Sequence, residues 1–289
     1  MLHLTPHGNV RGHSDKSGAG QRSHCNRVNI TLKGKKRSLL QSNSMASASL
    51  LASPTQLEGL VCKAWKFSEE YMSQPGFDAS HDFNHLRRVV SLAQKIYDTS
   101  TPEFQSTCDR NVVTLLALLH DVGDKKYTNQ SSPEAPSSGT VETFLLSINA
   151  PEALAAHIQH LVANVSFSSE QKHIEYVRSL AAQYPELAVV QDADRIDAIG
   201  AMGIARVITF STAKRPQEGW QGIITHYEEK LGRLAREMKT VEGKKLAETR
   251  GERIRMFFED WWNDEVVLPA KVPLVEALVY WIAHDCHRG

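Results

Sequence analysis

The sequence predicts an all-α protein, a single helical bundle over residues 51–289 behind a basic N-terminal extension of residues 1–50. Three observations predict it. From residue 55 onward apolar side chains recur mostly at steps of three and four, which puts them on one face of a helix. Alternating polar and apolar runs are rare and β-branched runs are short, so strands have little to form from. No internal repeat or composition break interrupts the chain after residue 50.

Residues 1–50 hold eight Lys or Arg and one acidic residue, Asp15, among many Ser, Gly and Asn. Such a segment buries too little apolar surface to offset its ordering entropy, and poor order is expected there. An organelle-targeting peptide, a nuclear signal at Gly34-Lys35-Lys36-Arg37, or an extension ahead of a start at Met45 are the readings of this stretch.

The first helix carries Leu57, Leu60, Val61, Ala64, Trp65 and Phe67, and Pro75-Gly76 ends it. A second, from about Asp82 to Tyr97, turns Leu86, Val89, Val90, Ala93 and Ile96 inward. A third, Asn111 to His120, is apolar on nearly every side, as helices at the centre of a domain are. A polar, Pro-containing loop, 127–139, precedes helical patterns at about 140–148, 152–163, 170–183 and 186–200. The Glu-, Lys- and Arg-dense stretch 222–258 predicts one or two long surface helices, with a solvated face and, as the alternative, a homodimer surface. An apolar element, 272–284, with Trp281, is expected to pack back on the core.

Composition bounds the function. With 33 Lys plus Arg against 33 Asp plus Glu in 289 residues, no basic excess points to nucleic acid. The four cysteines, Cys25, Cys62, Cys108 and Cys286, form no CxxC pair, which argues against a zinc ribbon or a disulfide scaffold. No run approaches the roughly 18–20 apolar residues of a membrane helix, so the expectation is a soluble, cytoplasmic chain without a membrane partner. Thirteen histidines raise the prospect of metal binding or proton transfer.

Three segments carry the chemistry. In H-D-F-N-H-L-R-R-V-V, residues 81–90, His81 and His85 share a face if the helix covers both; otherwise His81 sits at its N-terminal end. Arg88, three beyond His85, suits a phosphate oxygen or a neighbouring carboxylate. In A-L-L-H-D-V-G-D-K-K, residues 117–126, an apolar helix ends in His120-Asp121. Burying that pair is costly unless a metal or partner compensates it. A histidine capping the helix end is the plainer reading, but the adjacent aspartate opposes the helix dipole there. In V-V-Q-D-A-D-R-I-D-A-I-G-A-M-G-I-A-R, residues 189–206, Asp192, Asp194 and Asp197 sit in apolar surroundings and call for cations, from Arg195, Arg206 or a metal. Two imidazoles and two carboxylates form a mixed nitrogen and oxygen site suited to Mn²⁺, Fe²⁺, Co²⁺, Ni²⁺ or Zn²⁺.

These segments resemble the HD superfamily of metal-dependent phosphohydrolases, whose signature is H…HD…D across several helices. His85-Leu86-Arg87-Arg88-Val89 is similar to its H-x-x-R-V, His120-Asp121 to its doublet, and Ala193-Asp194-Arg195-Ile196 to its A-D-R context, which favours Asp194 over Asp192 and Asp197. The match is nearer the YpgQ/YedJ-like branch, whose long third motif and N-[I/V]-S-F segment (here Asn164-Val165-Ser166-Phe167) extend it over roughly residues 55–285. The resemblance implies an HD-domain helical bundle and one divalent ion, Mn²⁺ or Ni²⁺ ahead of Co²⁺, Fe²⁺, Zn²⁺ or Mg²⁺. It implies His85, His120, Asp121 and Asp194 as ligands. It further implies a small phosphorylated substrate, a nucleoside triphosphate cut by metal-activated water to monophosphate and pyrophosphate. Asp121, His81 and Asp124 are the candidates for catalysis, and Arg88, Lys125, Arg195 and Asp197 for substrate contact. The competing expectations are a phosphomonoesterase or nucleotidase of the same fold, a di-iron oxygenase and a metal-stabilised domain without activity. The oxygenase would recruit His157 and His160 to a second metal site; their plainer reading is as core or rim residues.

Overall fold

The computed structural model describes residues 52–123 and 139–265, all within Met45–Gly289, the second of the two units into which the chain divides. The first four helices are each started by a capping side chain. Ser53 accepts from the Gln56 amide at 3.3 Å and Pro54 takes the first helical position of α1 (Pro54–Met72), where no donor is needed. Asp82 caps α2 (Phe83–Thr99) through the His85 amide, and Thr101 starts the short α3 (Pro102–Gln105). Asp109 caps α4 (Arg110–Leu119), in which every residue from Val112 to Leu119 is buried. Beyond the undescribed 124–138, α5 (Thr140–Ser147) and α6 (Glu152–Val162) form a hairpin against this core. There follow α7 (Phe167–Lys172), α8 (Ile174–Gln183) and α9 (Pro185–Asp197). Among the described residues no strand forms, and the one isolated bridge is Pro75 with Phe77.

Helix α9 is the axis of the bundle and packs against α2, α4 and α8. Buried polar side chains need partners, and each on this helix finds at least one, although Gln191 Oε1 and Arg195 Nε stay without one. Glu186 accepts from the Asp109 amide at 3.0 Å, and Gln191 donates to the Asn164 carbonyl at 2.7 Å. Asp192 accepts from the amides of Lys239 and Thr240 and from the Thr240 hydroxyl. A side chain at Gly243 would run into that carboxylate, its Cβ falling 2.3 Å from Asp192 Oδ2. Arg195 ion-pairs with Glu170, which also takes the Lys239 ammonium at 2.9 Å.

After α9 the chain turns sharply. Gly200 has φ +73°, and a Cβ there would press on Arg250 at 3.1 Å, so glycine suits both the backbone and the space. It opens α10 (Gly200–Lys214), where the sequence reading, whose preceding element ended at about 200, assigned no helix. The predicted helix 170–183 is two helices, broken at His173, where φ is −140°. The stretch predicted as one or two long surface helices is broken further. It comprises α11 (Gly219–His226), a wide turn at Tyr227–Leu231, α12 (Gly232–Leu234) and α13 (Val241–Arg255). A second wide turn, Met256–Trp261, leads to α14 (Trp262–Glu265). It is also less superficial than predicted, since Ile223, Tyr227, Leu231, Leu234, Ala247, Ile254 and Phe258 are buried. Its apolar stripe is only about one residue wide per turn, and the dense charge masked it. The element expected at 272–284 lies outside the described residues. No single described helix is long and apolar enough to cross a membrane.

Removing one partner of a buried ion pair strands the other charge. Glu170→Gln is therefore expected to destabilise the fold by about 3–5 kcal/mol in urea unfolding. Burial alone would raise the Glu170 carboxyl, but Arg195 and Lys239 outweigh it and hold the group below its ordinary range. Its contribution is thus full above the unfolded carboxylate pKa and is lost as pH falls through the lower folded one. The variant should accordingly flatten the acid limb of the stability curve.

Candidate metal centre

The helix ends described above converge on one point. His85 stands in the first turn of α2, His120 and Asp121 directly follow α4, and Asp194 lies on the side of α9 that is not closed by neighbours. The His120 Nδ1–H donates to the Ala117 carbonyl at 2.8 Å. The residue therefore does cap its helix, and by doing so leaves its Nε2 as a bare acceptor. His85 is oriented in the same sense by a different partner. Its Nδ1 lies 2.8 Å from Asp197 Oδ2, and Asp197 also receives both arms of Arg88, at 2.8 and 3.1 Å, and Arg206 at 2.9 Å. Burial would raise the Asp197 carboxyl, but His85, Arg88 and Arg206 hold it far below the ordinary range. An ionised Asp197 makes His85 Nδ1 the donor and Nε2 the acceptor.

The inner atoms are then all acceptors. His85 Nε2 is 3.3 Å from Asp121 Oδ2 and 3.6 Å from Asp194 Oδ1, while His120 Nε2 is 3.4 Å from Asp121 Oδ1 and 3.8 Å from Asp194 Oδ1. Lone pairs face lone pairs, and His120 Nε2 and Asp121 Oδ2 are buried without a hydrogen-bond partner. Such a cluster repels itself unless a cation enters. A proton answers in part: burial opposes it, yet Asp121 and Asp197 raise the His85 pKa above its usual value. The imidazoles in turn pull Asp121 well below the ordinary range against its own burial. Donor atoms of His85, His120 and Asp121 lie within 4.8 Å of one another, and Asp194 closes the group. The nitrogen and oxygen set, its orphaned acceptors and its excess of carboxylate over guanidinium fit a divalent ion.

Beside this cluster His81 precedes the Asp82 cap, so it sits at the end of α2 and not along its face. The fold nonetheless brings its ring to 5.7 Å from that of His85. Asp78 accepts the Ser80 hydroxyl at 2.5 Å, and Ser80 Oγ lies 2.9 Å from His81 Nδ1. Burial pushes His81 down to about 3, with Asp121 opposing and Arg206 reinforcing the shift. Beyond His81 opens a cavity of about 190 Å³, lined also by Arg206, Phe210, Arg215, His226 and Lys230.

The HD domain family matches residues 82–199 of the chain. The uncharacterized protein YpgQ of Bacillus subtilis (strain 168) is 31% identical over 190 residues, which cover 64% of this chain and 85% of that protein. The chain belongs to the HD superfamily of metal-dependent phosphohydrolases, in its YpgQ/YedJ-like branch. The crystal structure of B. subtilis YpgQ in complex with ADP superposes on this HD protein with a TM-score of 0.54 at 28% identity, over 72% of this chain and 98% of that one. An HD-superfamily hydrolase from Bacillus thuringiensis does so with a TM-score of 0.51 at 27% identity, over 72% and 97%.

Of the residues that sequence assigned to this HD site, the fold brings His81, His85, His120, Asp121 and Asp194 together around one point. Three expected at the substrate are engaged by partners within the protein. Arg88 and Asp197 face each other through a two-armed charge-assisted contact, and Asp197 also takes His85 and Arg206. Arg195 points to the opposite side of α9, into the ion pair with Glu170. Asp124 and Lys125 lie outside the described residues. His157 packs on Tyr184 and His160 meets the Tyr176 hydroxyl at 3.2 Å, so neither joins the cluster. Sequence reasoning missed Asp78, Ser80, Arg215, His226 and Lys230. For the first two, the short D-A-S-H turn ahead of the Asp82 cap was a readable signal.

A carboxylate that orients a metal-binding imidazole typically contributes about 10–100-fold to metal affinity. Asp197→Asn is expected to weaken Mn²⁺ binding by about that factor at unchanged stoichiometry, read by calorimetric titration of folded, metal-stripped protein. Undiminished affinity would exclude the orienting role.

Proposed function

We propose that this HD phosphohydrolase cleaves nucleoside triphosphates to the monophosphate and pyrophosphate with one divalent ion, Mn²⁺ or Ni²⁺ ahead of the alternatives. The observation that carries the reading is the set of mutually facing acceptors at His85, His120, Asp121 and Asp194, set beside a pocket of cationic side chains. The ADP bound to YpgQ supports a nucleotide as the substrate class. His85, His120, Asp121 and Asp194 would hold the ion, which supplies Lewis acidity toward a phosphoryl oxygen and toward water.

The chain's own groups handle the proton. Asp78, as a carboxylate, can only accept, so the Ser80 hydroxyl donates to it and Ser80 Oγ accepts from His81 Nδ1–H. That leaves the His81 lone pair on Nε2, ready to take a proton from the attacking water. The water oxygen bonds to the α-phosphorus, the bond to the α–β bridging oxygen breaks, and pyrophosphate leaves with the electron pair. The negative charge of a bound triphosphate favours protonation of His81 as this happens. Asp124 and Lys125 remain proposals as a second proton-transfer group and a phosphate contact.

The test is chromatography of products from metal-stripped protein refilled with Mn²⁺, Ni²⁺, Co²⁺ or Mg²⁺ and offered nucleoside mono-, di- and triphosphates. Monophosphate with pyrophosphate is expected; release of orthophosphate alone would replace the reading with a nucleotidase. Asp121→Ala should abolish turnover with every metal. His81→Gln, which leaves the proposed ligand set intact, should lower kcat by about 100-fold or more. A His81→Gln enzyme with unchanged kcat would remove the proton role.

A further inference from the structure

The cavity beyond His81 has a composition the proposed chemistry does not by itself require. Its lining residues include the cations Arg206, Arg215 and Lys230 and the imidazoles of His81 and His226, and none carries a carboxylate; the Lys230 ammonium lies over the Phe167 ring at 5.8 Å. Its cations come from separate elements: α10, the loop after it, and the wide turn that follows α11. Arg206 is held rigid by Asp197 and by the Ser80 carbonyl, at 2.9 and 2.8 Å. Arg215 lies over the Phe210 ring at 5.6 Å, and the same ring meets the edge of His81. Phe210 thus steadies two of the polar groups rather than offering a face for stacking. The Glu218 carboxylate nearest Arg215 is 3.6 Å away, and both side chains are well exposed, so an arriving anion competes with a weak, screened pair.

Size narrows the ligand. At about 190 Å³ the cavity is smaller than the roughly 300–1,000 Å³ that enclose a drug-sized molecule, so a whole nucleotide does not fit. A neutral base offers these cations no charge to meet, whereas a diphosphate can take charge-assisted hydrogen bonds from them. The entrance is shared with His81, whose ring stands 5.7 Å from His85. A phosphate chain entering the cavity would therefore have its next phosphorus beside the metal ligands.

We infer that this cavity seats the terminal diphosphate of the substrate and then the pyrophosphate released from it; the inference rests on the triphosphate reading above. Arg215 and Lys230 are the residues that would select a triphosphate over a monophosphate, and selection would act on phosphate-chain length and not on the base. Both side chains are partly exposed, so their replacement should leave the fold intact.

The experiment compares the Mn²⁺-loaded full chain with Arg215→Ser, Lys230→Ser and the double variant. Each removed charge-assisted contact should raise the KM for triphosphate and the inhibition constant of inorganic pyrophosphate about tenfold, with the order of preference among bases unchanged. An unchanged inhibition constant, or an altered base preference in its place, would overturn the inference. If the wild-type chain turns over no triphosphate, calorimetric titration with inorganic pyrophosphate reads the cavity separately. Binding about tenfold weaker in the variants would uphold the anion seat while the triphosphate reaction falls, and equal binding would overturn both.

Discussion

The structure depends on how Asp197 is neutralised. A buried carboxylate is tolerated only when donors surround it, and here they come from His85 and Arg88 on α2 and from Arg206 on α10. One side chain thereby ties three helices together and sets the tautomer of His85, a candidate metal ligand. Arg206 passes the constraint on, since it also holds the Ser80 carbonyl and so the segment that carries His81. His85, the segment that carries His81 and the wall of the adjoining cavity are positioned by one connected set of hydrogen bonds.

The same logic explains α9. A helix at the centre of a bundle would ordinarily be apolar, yet this one carries Glu186, Gln191, Asp192, Arg195 and Asp197 in buried positions. Each is matched to a neighbouring segment: the α4 cap, the end of α6, the Lys239–Thr240 turn, α7 and α2. Such ties contribute little net stability against an apolar alternative but specify one register and one rotation of the helix. The rotation is what aims Asp194 at the imidazoles. Function and fold specificity here are the same requirement seen from two sides of one helix.

Much of this was legible. Helix positions followed from apolar periodicity, because that signal is local and physical. The ligand candidates were legible because an imidazole–carboxylate doublet at the end of an apolar helix, and aspartates inside an apolar stretch, conflict with burial unless a cation is near. The charge-dense 222–258 stretch was harder: its buried stripe is narrow, and wide turns at Tyr227–Leu231 and Met256–Trp261 have no strong sequence signal.

The sequence by itself determined that the protein is a helical bundle of a metal-dependent phosphohydrolase family, since periodicity and the cost of burying charge are properties of short segments. Only the tertiary structure decided how the remaining charges divide. Arg88 and Asp197 face each other, Arg195 turns to Glu170, and Arg215 and Lys230 gather beside His81 from segments distant from it in the chain. Spacing along a helix tells which side a residue occupies, but the partner it meets there is supplied by another helix, and that choice is settled by packing.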